Sequence, residues 1–193
     1  MRLNSFTSTL AAVSISAAAL VFILPGPARA ASSVIGPGPA RVCFEAANAG
    51  RADLSALLDC DAAISSQELN ARDRAATVVN RGVIHLLRRN AAKALEDFDR
   101  AIDWQPDLGE AYVNRGAALI LSGDFQGAIA SINRGLELGA EDPHEAYFNR
   151  AIAYEKLDDL PAAYADYRRA VELKPDWALP QQELARFTVT SAQ

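Results

Sequence analysis

The sequence predicts an all-α protein of stacked helix hairpins, and three observations support this fold class. Half of its 193 residues are hydrophobic but only 7% are aromatic, a mixture that suits closely packed helices better than sheets. The motif Asn-Arg-Gly/Ala occurs three times, with its asparagines at Asn80, Asn114 and Asn149. These asparagines are 34 and 35 residues apart, and a fixed interval of this size is the signature of a repeat protein.

Each repeat contains two segments with helical periodicity and a short turn between them. Apolar residues recur at helical intervals in both segments. The turns "RRNAA", "LSGDF" and "KLDDLP" each offer an Asn or Asp that can cap the second helix. One position of the first segment is always small, at Gly82, Gly116 and Ala151. We expect this position to let the two helices approach closely, and each hairpin then leaves an apolar face that only the next hairpin can cover.

This pattern resembles the tetratricopeptide repeat family over roughly residues 75–177. Small, large and proline positions agree across three units, at 75–108, 109–143 and 144–177. The resemblance implies 34-residue helix hairpins that stack into a right-handed α-solenoid. The second unit departs from the family pattern by one extra residue in "GAEDP", and His85 replaces the usual aromatic residue in the first unit.

The segments that flank the three units are predicted to close the stack. Residues 41–74 are expected to form a degenerate N-terminal hairpin and a linker, because "CDAAI" mirrors the later "FDRAI". Residues 178–187 are expected to form an amphipathic capping helix that covers the last unit. The final residues, 188–193, are predicted to be a disordered tail.

The first 30 residues predict a secretory signal peptide. Arg2 precedes the uncharged run "LAAVSISAAALVFIL", and "PGPARA" ends in a small-x-small cleavage pattern before Ala31. A membrane anchor is the alternative, but an apolar run this short, stopped by Pro25, spans a bilayer poorly. We therefore expect export to the periplasm of a Gram-negative bacterium, with residues 31–40 flexible and no stable membrane insertion after cleavage.

Export would place the two cysteines, Cys43 and Cys60, in an oxidising compartment. In an oxidising compartment an even pair of cysteines indicates a bridge. The hairpin alignment places one cysteine on each helix, so a turn at "NAGRAD" brings them side by side. Such a bridge contributes roughly 3 kcal/mol in the chain-entropy model. Two small buried thiols are the alternative.

The resemblance implies that the first helix of each unit lines a concave groove. The groove positions that it implies are Val79, Asn80, Val83, Val113, Asn114, Ala117, Phe148, Asn149 and Ile152. A side-chain amide offers both a donor and an acceptor to the backbone of an extended peptide. The alternative is that the asparagines are inherited family consensus with no binding role.

The arginines of the motif are assigned structural roles. Two Arg–Asp pairs, each 16 residues apart, span one hairpin and predict ion pairs: Arg81 with Asp97, and Arg150 with Asp166. The second unit has Ser131 where the Asp would stand, so Arg115 is expected to turn to a neighbouring repeat. An acidic group on a ligand is the alternative partner for Arg115.

Composition and motifs exclude several function classes. A net charge of −5 without a basic patch argues against nucleic acid as a partner. The sequence has two histidines in different units, no Cys/His metal spacing and no phosphate-binding glycine loop, so we expect no metal, no cofactor and no catalysis. A grip on a terminal carboxylate is also disfavoured, because Glu110, Glu145 and Glu155 lie near the groove with only Lys156 as a cation.

The sequence therefore predicts a protein–protein interaction module of the cell envelope. In this hypothesis an adaptor or scaffold holds an extended peptide segment of an unidentified partner in its concave groove. The alternative is a self-assembling structural protein, or an accessory subunit of an envelope complex, that uses convex or terminal surfaces.

Overall fold

The computed structural model describes residues 12–15, 38–66 and 68–190, and this part of the chain is mainly helical. The helices in it are α1 (Pro39–Asn48), α2 (Leu54–Ser65), α3 (Ala71–Leu87), α4 (Ala91–Trp104), α5 (Gly109–Ser122), α6 (Phe125–Glu137), α7 (Pro143–Lys156), α8 (Leu160–Leu173) and α9 (Ala178–Leu184). Two short strands, β1 (Ala12–Ile15) and β2 (Phe187–Thr190), form an antiparallel pair. The predicted all-α solenoid is confirmed, with this small ribbon added to it.

Four helix hairpins follow one another in the described part of the chain, α1–α2, α3–α4, α5–α6 and α7–α8. The second helix of each hairpin begins at an Asp or Asn whose side chain accepts a hydrogen bond from a backbone N–H three residues later. These N-caps are Asp53, Asn90, Asp124 and Asp159, with donor–acceptor distances of 2.9–3.2 Å. Each cap satisfies a donor that the first helical turn would otherwise leave unpaired.

The small position of each repeat is where the two helices of a hairpin meet. A Cβ added at Gly82 would lie 2.5 Å from Cε1 of Phe98, and one added at Gly116 would overlap Cγ1 of Ile132. Phe98 and Ile132 are both fully buried. The glycines are therefore needed for space, since their helical backbone does not require positive φ.

A disulfide bond closes the first hairpin. Cys43 on α1 and Cys60 on α2 are bonded, with their Cα atoms 4.8 Å apart, and both residues are fully buried. α1 begins at Pro39, so residues 39 and 40 are helical and do not belong to the flexible segment expected over 31–40. The rest of that segment, 31–37, lies outside the described residues.

The C-terminal end differs from the sequence-based expectation. The expected capping helix over 178–187 ends at Leu184, and residues 188–190 form a strand where a disordered tail was expected. The Phe187 ring leaves the helix path to pack against Tyr164 and Tyr167, at 5.8 Å between ring centroids in each case. The chain then continues in extended form and pairs with β1, while residues 191–193 lie outside the described part.

Of the leader predicted over 1–30, the structure describes only β1. Ala12 pairs with Thr190, Val13 with Val189, Ser14 with Thr188, and Ile15 with Phe187. The signal peptide stays a prediction. None of the helices in the described ranges combines the length and apolar character needed to cross a membrane.

The close approach at Gly82 leads to a stability prediction. We expect Gly82→Ala to lower the free energy of unfolding by about 1–3 kcal/mol, because the new methyl group overlaps a buried aromatic ring. Chemical denaturation measures this change. The matched control is Phe98→Leu, made in the parent chain and in the Gly82→Ala chain. It should lower the free energy of unfolding less in the Gly82→Ala chain than in the parent chain. Equal costs in the two backgrounds would show that the two side chains do not compete for space.

Candidate peptide-binding face

Asn80, Asn114 and Asn149 lie at equivalent positions on three inner helices, α3, α5 and α7. α5 lies between α3 and α7 and contacts both, so the three asparagines stand on neighbouring helices in order. All three are buried, with 0%, 3% and 1% of their surface exposed. None of the three side chains is without an interaction partner.

All nine residues predicted to line the groove are buried, at 9% exposure or less. Their role in peptide binding stays a prediction, and in this conformation they offer little open surface. Their apolar members belong to the two hydrophobic clusters of the core. The physical reason is that an inner helix packs against its own hairpin partner and against the inner helices beside it. On α3, residues 75–80 and 82–86 are all buried for this reason.

Phe148 illustrates why a predicted groove residue serves packing. Its ring lies 5.6 Å from the ring of Tyr167 and 4.9 Å from that of Trp177, centroid to centroid. His144 meets the same Trp177 edge-on, at 5.3 Å. This aromatic cluster joins α7, α8 and the start of α9, so Phe148 anchors the C-terminal end of the stack.

The arginines of the repeated motif join helices of two successive hairpins. Arg81 on α3 donates to Asp97 on α4 at 2.5 and 2.9 Å and to Asp61 on α2 at 2.6 Å. Hydrogen bonding to Asp97 raises the pKa of Arg81 above its already high usual value, so the arginine stays charged. Together these bonds require α2, α3 and α4 to keep their relative positions.

Arg150 repeats this arrangement in the third unit. It donates to Asp166 on α8 at 2.7 and 2.8 Å and to Asn133 on α6 at 2.5 Å. Arg150 also lies over the rings of Tyr147 and Tyr154 on its own helix. The third unit is therefore tied to the second in the same way that the first is tied to the N-terminal hairpin.

Arg115 in the second unit links its helix to the preceding hairpin. It donates to Asp99 on α4 at 2.6 Å, while Ser131 donates to the carbonyl oxygen of Tyr112 at 2.9 Å. Asp99 is largely exposed. Arg115 thus pairs with an acidic group of the neighbouring repeat, which is one of the two alternatives that the sequence left open.

Sequence reasoning missed the acceptors that link successive hairpins. These acceptors share one position on the second helix of a hairpin, directly after a buried residue. They are Asp61 after Cys60, Asp99 after Phe98, and Asn133 after Ile132. That shared position was a detectable signal. A polar acceptor recurs there in every hairpin that is followed by a further repeat unit.

Carboxylates surround Asn114 at the edge of the inner face. A cavity of about 20 Å³ between α5 and the start of α7 is lined by Glu110, Glu141, Asp142 and Glu145. Oε1 of Glu110 accepts a hydrogen bond from the backbone N–H of Glu141 at 3.0 Å. Adding a ligand carboxylate here would bring like charges together. In the described residues no group of three or more His, Cys, Asp and Glu side chains is arranged to hold a metal ion.

A second concavity lies on the outer side, between α2, α3 and α4. Its volume is about 340 Å³, and its lining includes His85, Lys93, Leu54 and Leu58. Burial lowers the pKa of His85, although Asp97 lies 3.9 Å away. The two leucines are 65% and 59% exposed, and the other hairpins carry small, polar or proline residues at the corresponding positions.

Comparisons with known proteins agree with this geometry. The family pattern described as tetratricopeptide repeat matches residues 144–176. Tetratricopeptide repeat protein 36 of Xenopus tropicalis is 30% identical over 141 residues, which cover 72% of this chain and 67% of that protein.

Solved structures share the fold at lower sequence identity. The structure of MamA, residue 41 to the end, from Desulfovibrio magneticus RS-1 has a TM-score of 0.60 at 17% identity, covering 78% of this chain and 84% of that chain. The first TPR of Spaghetti (RPAP3) bound to the HSP90 peptide SRMEEVD has a TM-score of 0.54 at 24% identity, covering 57% and 89%.

The arginine contacts predict a graded series of stability effects. We expect Arg81→Met to lower the free energy of unfolding by about 3–5 kcal/mol, because it leaves the buried carboxylate of Asp97 without its cation. The matched variant Arg115→Met should cost about 0–1 kcal/mol, because its partner Asp99 is largely exposed. Urea denaturation measures both. Equal losses in the two variants would contradict this assignment.

Proposed function

Because this chain belongs to the tetratricopeptide repeat family, we propose that it is a non-catalytic protein-binding module. It holds an extended segment of a partner along the inner face formed by α3, α5 and α7. The observation that carries this proposal is the repetition of one asparagine on three adjacent inner helices. Spaghetti (RPAP3), whose first TPR shares the fold, is bound to a seven-residue peptide in its structure, which supports a peptide as the occupant.

The spacing of the inner helices suits an extended backbone. Packed helices lie about 8–10 Å apart, and an extended chain rises about 3.3 Å per residue. Every third residue of a bound segment would therefore reach the next asparagine. Three side-chain amides can then engage backbone N–H and C=O groups over about seven residues, without selecting particular side chains.

Burial of the three asparagines sets a condition on binding. Because the amides are covered and engaged in this conformation, a partner segment reaches them only when the inner face opens. The apparent dissociation constant is then raised in inverse proportion to the fraction of open molecules. A partner that is held at high local concentration, for instance within one complex, overcomes this cost more easily than a free peptide.

The charge of the inner face limits the kind of segment that fits. Glu110, Glu141, Asp142 and Glu145 stand beside Asn114, so a neutral or basic segment is favoured over one with acidic side chains or a terminal carboxylate. The peptide SRMEEVD, which Spaghetti (RPAP3) binds, belongs to the disfavoured class. This protein therefore serves a different set of partners in our proposal.

Self-assembly is the second candidate function, and Leu54 and Leu58 favour it. Both leucines are exposed on the outer face of α2, where an apolar pair one turn apart can pack against another helix. The occupant in this case is a second copy of the chain, which would meet the stack at its N-terminal hairpin.

One capture experiment separates the two candidates. The tagged full chain is the bait, beside a variant with alanine at Asn80, Asn114 and Asn149 and a second variant with Leu54→Glu and Leu58→Glu. We expect partners from an envelope extract to be lost with the asparagine variant and kept with the leucine variant. Excess SRMEEVD peptide should not displace them.

Other outcomes of this capture would contradict the proposal. Partners retained by a folded asparagine variant would show that the inner face is not used. An untagged copy of the chain as the sole prey, lost with the leucine variant, would favour self-assembly. Helicity and melting temperature are measured for every bait, and Asn114→Asp replaces the triple variant if that variant fails to fold.

We also infer that the protein acts in the cell envelope after removal of its leader. The basic start, the uncharged apolar run and the "ARA" pattern support this, and a disulfide between Cys43 and Cys60 suits an oxidising compartment. We expect the protein recovered from the periplasm to begin at Ala31, as N-terminal sequencing would show. Recovery of chains that begin at Met1 in the cytoplasm would contradict this.

A further inference from the structure

β2 is held in place by the repeat stack. Phe187 packs its ring against Tyr164 and the fully buried Tyr167 of α8. The preceding Arg186 donates to Glu155 of α7 at 2.7 Å. These contacts attach the start of β2 to α7 and α8 through side chains that do not belong to β1.

β1 is held both by pairing with β2 and by contact with α8. Its antiparallel register covers all of β2. Val13 and Phe187 are half-buried, while Ser14 and its cross-strand partner Thr188 are exposed. The ribbon therefore has one face on the stack and one face in water, and an isolated two-stranded ribbon of this length is at best marginal in water.

β1 also lies inside the segment that is predicted to be removed on export. Its loss would leave the backbone N–H and C=O groups of one edge of β2 without a strand beside them. Such an edge is a ready template for another extended chain. The stack would continue to hold it next to an apolar surface made by Tyr164 and Phe187.

We propose that Phe187–Thr190 is a strand-acceptor site, which β1 occupies in the uncut chain and a partner segment takes after the leader is removed. The occupant is an extended segment of four or more residues that alternates small residues with larger apolar ones, as "AVSI" does, and lacks proline. This site is separate from the inner face, and only its use in the cell depends on the proposed export.

The test uses the full chain and a fluorescent peptide with the sequence of residues 10–17, extended by lysines for solubility. Val13→Pro disables β1 as a competitor, because the proline ring fixes φ near −65°, away from the φ of about −140° of an antiparallel strand. We expect this variant to bind the peptide roughly tenfold or more tightly than the parent, whose own strand competes at an effective concentration in the millimolar range. Ser14→Ala is the matched control and should bind like the parent, because Ser14 is exposed.

A second change locates the site on β2. Thr188→Pro with Val189→Pro, added to the Val13→Pro chain, should abolish peptide binding, because one of two adjacent residues in an antiparallel strand donates its N–H to the neighbouring strand. Amide shifts in the Val13→Pro chain should be largest over residues 187–190. Equal binding by parent and Val13→Pro chains, or binding that survives the double proline change, would overturn the proposal. So would dimerisation of the Val13→Pro chain that excludes the peptide.

This outcome is independent of the inner-face proposal. The double proline change leaves α3, α5 and α7 untouched, so partners held by the three asparagines should remain bound to it. Failure of the Val13→Pro chain to bind the peptide more tightly than the parent would thus reject the acceptor site and leave the proposed function standing.

Discussion

In each of the three repeat units two helices approach closely at one small residue, and the geometry of the stack follows from this contact. At Gly82 and Gly116 the helical backbone stands against a buried ring or branched side chain, and no space remains for a methyl group. This contact sets the distance between the helices of a hairpin. It thereby brings Arg81 and Arg150 within hydrogen-bonding reach of carboxylates on the facing helix. It also sets the positions at which successive inner helices present their asparagines.

Polar contacts then fix the relative positions of successive hairpins, which apolar packing alone would define less strictly. Hydrophobic contact is non-directional, whereas an arginine with two hydrogen-bonding partners on different helices requires one geometry. Arg81 and Arg150 each join three helices in this way. The second unit makes only an exposed contact through Arg115. The links between hairpins are therefore unequal, and the middle of the stack is held more by packing than by charge.

Most of the architecture could be predicted from periodicity, because apolar spacing and the repeated motif determine helices, hairpins and their order. The end of α9 and the strand at Phe187 could not, because strand pairing joins residues 172–178 positions apart and leaves no local pattern. The burial of Asn80 and Asn149 was missed for a different reason. A repeat pattern tells which helix a residue belongs to, but not how much of its surface the neighbouring helices cover.

We propose above all that the inner face, with its three asparagines, receives the partner segment. The most direct test is an NMR titration of the full chain with the segment identified by capture, following the side-chain amide signals of Asn80, Asn114 and Asn149. We expect all three signals to shift with one common dissociation constant as the buried amides change partners. Saturation of binding with these three signals unmoved would contradict it, whatever other surface responded.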